Sequence, residues 1–443
     1  MTTQVSGTAL SSHAVQALSA RLGEPEWLLK RRLEAWRLFE EAPMPDPLSE
    51  EWKRIDVDRL TLDGLAPFAP TRTSITGADG LPAELRSLWD EADVVAGRVV
   101  QHDSDVVHTA LDVSLAQQGV IVTDLHTAAR KHEALVRERM GSVVSPGEWK
   151  YQGLRGALWT GGCFVYVPQG VEVELPIEYA IGLSTPNTGL FPHLLIVAEA
   201  NSSVTVIQEE LSPPLDGLNV VAGAVEIIAG DGARVRFVDT QRWGASVQNF
   251  FTMRAHLGRD ATFQPTLLGL GGALTKSRLD VLLDKPGAKA ELLGLFFGGD
   301  DQRFDYDTRQ DHVAPHTESD LLFKSTLTDR ARLAWNGVVD IRESASKSAA
   351  NQTSRNLLLS DKASASPTPI LEISAYDVQR CSHGATVGPV DPEQIFYLQS
   401  RGIPHEEAER MLVEGFFAEV LERIPSEPLQ QRVQAVLHRK LGW

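Results

Sequence analysis

Hydrophobic and polar positions follow three rhythms along this chain. Between about Ala14 and Glu41, Leu18, Leu22, Trp27, Leu28, Leu33, Trp36 and Phe39 recur at helical spacing, with a break expected near Gly23 and Pro25. Pro43, Pro45 and Pro47 then deny the backbone donors a helix needs, so EAPMPDPLSEEWKRI reads as an extended connector. LHTAARKHEALVRERMG, between about Asp124 and Met140, predicts a further helical stretch that ends at Gly141 with basic residues near its C-terminus. After Ala157 the rhythm shortens. Apolar runs such as CFVYV, LLIVAEA, AVEIIAG, VRFVD, RLDVLLD and ELLGLFF follow one another, and no segment has the length or period of a helix until Asp391. There Asp391 can cap a helix, Pro392 suits its first position, Gln394 can reach back and Gly402 stops it. Pro404 opens a second helix carrying Met411, Leu412, Phe416, Val420 and Ile424, and a third runs from about Leu429 to Lys440. The chain thus divides into a mainly helical region with some strands (1–150), a strand-and-turn core (151–390) and an α-helical C-terminal region (391–443).

A loose repeat runs through the core. A polar turn, a small residue and alternating apolar positions recur as NSSVTV, DGARVRF, GRDATF, KPGAKAEL, TDRARLAW and SDKASA. Their small residues, Ser202, Ala233, Ala261, Ala288, Ala331 and Ala363, are 31, 28, 27, 43 and 32 residues apart. Repeats that cannot bury an apolar face alone do so by stacking, which predicts a solenoid, with the uneven step read as coils carrying longer loops. A large sandwich alternates strands and turns in a similar way and remains open from pattern alone.

Composition narrows the function classes. A chain of 443 residues with 42% hydrophobic content fills two or three domains. Its formal charge of -17, without any basic run, argues against a nucleic-acid surface, which needs clustered Lys and Arg. The opening MTTQVSGTALSSH lacks the basic start and apolar run of a secretory signal, and no stretch of about eighteen apolar residues could span a bilayer. A cytoplasmic location, with the two cysteines as thiols, is the expectation.

Several motifs suggest chemistry. GLGGALTKSR has the glycines of a phosphate loop, but Thr275 precedes Lys276 and a strand follows, so a turn between repeats is expected. His312 and His316 have a helical chelating spacing that Pro315 rules out, which leaves them as turn residues. Asp305 and Asp307 share a strand face and read as two carboxylates on a wet face. Cys163, followed by FVYV, reads as a buried small hydrophobe. Cys381 and His383 in DVQRCSHGATVGPVD are two apart, on one face of an extended strand, and pair a soft with a borderline ligand for zinc or iron. Two ligands alone do not make a site.

The run from Asn356 to Phe417, with NLLLS, PTPILEI, RCSHGATVG and DPEQIFYLQSRGI, resembles the C-terminal signature of the SufB/SufD family of iron-sulfur cluster assembly proteins. LEAWRLFEEAPMPDPLSEEWKRIDV resembles the family's N-terminal approach to its core. With only two cysteines, the chain is more similar to the SufD branch than to the SufB branch, generally the cysteine-bearing scaffold. The resemblance implies a mainly β fold, a right-handed parallel β-helix (solenoid) flanked by N-terminal and C-terminal helical regions. It implies a non-catalytic scaffold subunit that pairs with a SufB-like paralogue and carries a SufC-like ATPase on its C-terminal helices. It leaves room for a homodimer of the isolated chain and for a flavin at the level of the complex. Cys381 and His383 would be metal ligands at the SufB-facing surface, holding a transient iron-sulfur cluster shared with the partner. The rival readings are a β-helical polysaccharide-active enzyme and a purely structural interaction subunit.

Overall fold

The computed structural model describes residues 10–57, 60–75, 77–86, 89 and 94–440; the opening residues 1–9, read above for a leader signal, lie outside them. Its centre is a two-sheet β-solenoid. One sheet stacks in parallel the strands Ile177–Gly182, Ser203–Leu211, Arg234–Arg242, Thr262–Gly269, Lys289–Gly298, Glu318–Leu327, Ala349–Leu358 and Arg380–Pro389. We call this the first sheet. The second stacks Cys163–Val167, His193–Ala198, Asn219–Ala229, Val247–Leu257, Leu274–Leu283, Arg303–His312, Arg332–Ile341 and Ser364–Ile373. Consecutive long strands alternate between the sheets, so each coil contributes one strand to each.

The corner leading into the first sheet shows why the repeat exists. Asn201, Gly232, Asp260, Gly287, His316 and Lys347 all have positive φ, between 55° and 79°. Each is followed by a wholly buried small residue, in order Ser202, Ala233, Ala261, Ala288, Thr317 and Ser348. A left-handed residue turns the chain and is drawn from Gly, Asn, Asp and a few others, while the next side chain points into a corner with room for little more than a methyl or hydroxyl. The carbonyls of Ser202, Ala233, Ala261, Ala288 and Thr317 accept from the next coil at 2.8–3.0 Å, so the corners stack as a ladder. This corner recurs every 27–31 residues. The 43-residue step in the sequence therefore marks no long loop. Ala331 and Ala363 lie at the corner leading into the second sheet, before Arg332 and Ser364, and the first corner continues through Thr317 and Ser348.

Most middle strands are buried on both faces, which explains why runs such as ELLGLFF show no alternation. Inward residues, including Val204, Val235, Phe237, Phe263 and Leu292, fill the solenoid. The outer face of the second sheet packs against helices Ser12–Leu22, Glu26–Glu41 and Lys150–Leu158 through Trp36, Phe39, Trp149, Tyr151 and Phe250. Buried Arg32 bonds Glu24 at 2.8 and 2.7 Å and the carbonyls of Ala157 and Trp159 at 3.0 Å. The proline-rich connector is extended only at its start; from Asp46 it coils through turns that seat Trp52 and Ile55 in this cluster. Outside the first sheet, helices His405–Leu421 and Glu427–Lys440 bury Val413, Phe417, Val420, Val433 and Leu437 against Ile207, Val238, Leu268, Leu293 and Leu322.

The two ends of the solenoid differ. At the first end the stacking terminates in antiparallel pairs, Gly97–His102 with Asp105–Leu111 and Ile121–Asp124 with Cys163–Val167. At the other end Ser364–Ile373 and Arg380–Pro389 are edge strands, largely exposed or half-buried.

A buried carboxyl pair sits inside the early coils. Gln208 Nε2 donates to Glu210 Oε1 at 3.0 Å and to Asp239 Oδ1 at 3.1 Å, and burial pushes both carboxyls above the usual range. A carboxyl raised in the folded state stabilises the fold below its unfolded pKa of about 4, and that contribution is lost as pH rises through the raised values. Asp239→Asn, which keeps the acceptor and removes the charge, should raise the thermal midpoint by a few degrees at pH 8 and change it little at pH 4.5. Thermal melts across pH check the sign; an equal gain at both pH values would contradict it.

Candidate functional site

Cys381 and His383 lie on the last strand of the first sheet, at the uncovered end of the solenoid. Their register partners on the preceding coil are Ala350 and Gln352, both wholly buried, so the two side chains lie on the inward face. The inward row there is exposed only because no further coil covers it. Cys381 is half-buried and packs at the edge of the cluster of Val339, Ile341, Ala345, Ala350 and Ala375; burial pushes its thiol up, so it is protonated at neutral pH in the isolated chain. His383 is exposed. Around the same end Ile370, Ile373, Tyr376 and Val387 are 39, 47, 99 and 43% exposed, a run of uncovered apolar surface that ends of this kind bury against something.

The donor types at this end suit an iron-sulfur cargo, and the donor number does not. A cluster takes four protein ligands, and among the described residues no group of three or more His, Cys, Asp or Glu is arranged to hold a metal ion. Any cargo held here needs donors from elsewhere.

The remaining candidates resolve into structure. His312 is wholly buried, with Nδ1 2.7 Å from Thr317 Oγ1 and Nε2 2.8 Å from Ser319 Oγ, and burial lowers its pKa to about 4. His316 is a left-handed turn residue. Asp305 and Asp307 are not on a wet face. Both bind Lys276, the lysine of the glycine-rich segment, at 3.0 and 2.6 Å, and Lys276 is itself fully buried. Burial raises the Asp305 carboxyl to about 6 against the pull of Lys276. The glycines preceding Lys276 form a turn in which Gly271 passes the Trp243 backbone so closely that a Cβ would lie 2.3 Å from its carbonyl oxygen. Cys163 is fully buried and its thiol is pushed far up by desolvation.

Sequence reading missed the buried polar groups, both Gln208, Glu210 and Asp239 inside the solenoid and a chain on the outer face of the second sheet that joins Arg155 to His193 Nδ1 at 2.9 Å and His193 Nε2 to Glu226 at 2.7 Å. Glu226 also accepts from the amides of Gly141, Val143 and Val144 at 2.7–3.0 Å, tying the N-terminal region to the second sheet. A polar residue within an otherwise apolar strand run, as Glu226 is in AVEIIA, was the signal available.

On the C-terminal helices, Phe417 is buried in the seam with the first sheet and Phe416 is partly buried beside Lys324. Their outward surface is instead formed by Phe396, Tyr397 and Met411, at 71, 56 and 42% exposed. Asp391 caps the helix Pro392–Ser400 through the amide of Glu393.

These features define a solenoid protein with two candidate soft ligands, Cys381 and His383, at an uncovered end. Residues 181–416, more than half of the chain, match the family described as SUF system FeS cluster assembly, SufBD core domain, and residues 17–179 match the SufBD protein N-terminal region. The chain is 34% identical to the iron-sulfur cluster assembly protein SufD of Bacillus subtilis, over 98% of this chain and 99% of that protein. It is 30% identical to an iron-sulfur cluster assembly SufBD family protein of Staphylococcus haemolyticus, and 29% identical to SufB of Bacillus subtilis, in each case over 94% of this chain and 90% of the relative. The chain belongs to the SufBD family of iron-sulfur cluster assembly proteins and is a SufD homologue.

The different settings of the two candidate ligands make a stability prediction. Cys381→Ala removes a packed sulfur and should cost about 1 kcal/mol, whereas His383→Ala, on exposed surface, should cost less than about 0.5 kcal/mol. Urea unfolding of the isolated chain measures both; equal costs would show that His383 is held as firmly as Cys381.

Proposed function

We propose that this chain is the non-catalytic, SufD-like subunit of a cytoplasmic SUF scaffold, pairing with a SufB-like paralogue through the open end of its solenoid. The observation that carries the reading is that end itself: His383 stands exposed on the last inward row, among uncovered apolar side chains, in a family that assembles iron-sulfur clusters. A paralogue seated there would cover the apolar surface and supply the missing donors, so a nascent cluster would be shared between chains. His383 is the stronger ligand candidate, because its ring is accessible while Cys381 is packed and protonated until the interface changes its surroundings. Any reductant, flavin included, belongs in this reading to the complex.

The C-terminal helices are proposed to carry the SufC-like ATPase on the surface of Phe396, Tyr397 and Met411. Their rigid seam with the first sheet, including Arg432 on Glu209 at 2.6 Å and Lys440 on the Phe297 carbonyl at 3.0 Å, would pass a movement of the ATPase to the solenoid.

His383→Ala should leave complex assembly intact and lower cluster formation at least tenfold, read as iron content and visible absorbance of the anaerobic reconstituted complex; full cluster yield would remove His383 from the site. Joint replacement of Phe396, Tyr397 and Met411 by Ser should abolish ATPase binding in pull-down while the melting curve is retained. Phe417→Ala, by contrast, should destabilise the chain by about 3–5 kcal/mol. Retained ATPase binding by the triple variant would move the docking surface elsewhere.

A further inference from the structure

The interior of the last coils holds a chain of hydrogen bonds with a direction. Thr317 Oγ1 lies 3.1 Å from the Ala314 carbonyl and 2.8 Å from Ser348 Oγ; whichever of these takes its one hydrogen, its oxygen accepts from His312 Nδ1 at 2.7 Å. That arrangement leaves His312 Nε2 as an acceptor, and Ser319 Oγ, 2.8 Å away, supplies its proton. Ser319 Oγ in turn accepts from Gln310 Nε2 at 2.6 Å, and Gln310 Oε1 accepts from Gln352 Nε2 at 2.9 Å. A neutral His312 is what its burial demands. Every donor in the series points away from the open end. The series therefore finishes, at the open end, on a bare acceptor: Gln352 Oε1 is buried and has no hydrogen-bond partner.

The next residue in that row is His383, the in-register neighbour of Gln352 one strand further out. Neighbouring strands lie about 4.8 Å apart, which brings paired side chains on one face within hydrogen-bond reach. An unmatched buried carbonyl oxygen is unfavourable, so it favours whichever donor can reach it. A neutral imidazole carries one N-H donor and one lone pair.

We propose that Gln352 is a positioning residue for His383: its Oε1 accepts the hydrogen of one ring nitrogen and leaves the other, with its lone pair, directed out of the solenoid towards a cargo metal. Ligating histidines commonly have such an oxygen behind them, which fixes the tautomer and the ring plane. The amide of Gln352 cannot turn over to present a donor instead, because its nitrogen is held by Gln310 and, through it, by the whole series. The value of this role for assembly rests on His383 being a ligand, but the hydrogen bond itself does not.

The test uses the full-length chain with 15N-labelled histidine. In the wild type at neutral pH, one ring N-H of His383 should be protected enough from solvent to give a proton-nitrogen correlation, assigned by its loss in His383→Ala. In Gln352→Met, which keeps the length and removes the acceptor, that signal should vanish and the ring nitrogens should shift to the tautomer mixture of a free imidazole. Gln352→Glu keeps an acceptor oxygen and should restore the protected N-H. In the reconstituted complex, Gln352→Met should lower cluster retention about tenfold, with rescue by Gln352→Glu. No protected ring N-H in the wild type, or its persistence in a folded Gln352→Met, overturns the proposal. A protected N-H that depends on Gln352, together with full cluster formation in His383→Ala, upholds the positioning and refutes ligation.

Discussion

Everything in this molecule depends on the corner into the first sheet being repeatable. One residue in the left-handed region turns the backbone, one small buried residue follows, and its carbonyl meets an amide of the next coil at 2.8–3.0 Å. If any corner held a larger side chain, the coil above would be displaced and every in-register pair along two strands would shift with it. The constraint is local in sequence and global in effect. It fixes coil length to within a few residues, and coil length decides which side chains share the interior row. Cys381 and His383 are inward because Ser348, thirty-odd residues earlier, is small.

Two helical layers then make the solenoid two-sided. Because helices cover the outer face of each sheet, strand residues facing outward are as apolar as those facing inward over much of the length. Towards the last strands that cover thins out, and burial falls with it. The polar groups confined inside are consequently satisfied by one another, as pairs or chains. Where the stack stops, one such chain ends on the unmatched Oε1 of Gln352.

The same physics explains what could be read from the chain and what could not. The first helices were legible down to the break at Gly23, where φ is 59°, because caps and apolar period are local. The parallel stack was legible as a repeat, but the repeat was misaligned: matching polar turns followed by small residues stepped from one corner at Ala288 to the other at Ala331 and passed over Thr317 and Ser348, because both corners carry the same local pattern. Asp305 and Asp307 seemed to face water because nothing local to them shows Lys276, one coil away, buried beneath Trp52. At the site, spacing alone put Cys381 and His383 on one face. What separates them, apolar packing for one and exposure for the other, is a property of the end of the stack. Gln352 had no signal, since its meaning lies in which of its two amide atoms is left over.

The prolines of the last strand in the second sheet carry a consequence for assembly. The amides of Ser364 and Ser374 bond inward, so the odd-numbered residues between them face the free edge, where Pro367 and Pro369 have no N-H to offer. A strand added there would find an interrupted ladder. The edge formed by Arg380–Pro389 carries a proline only at its end. The two edges at that end are therefore unequal: one offers a neighbouring strand a ladder free of proline up to Pro389, and the other offers an interrupted one.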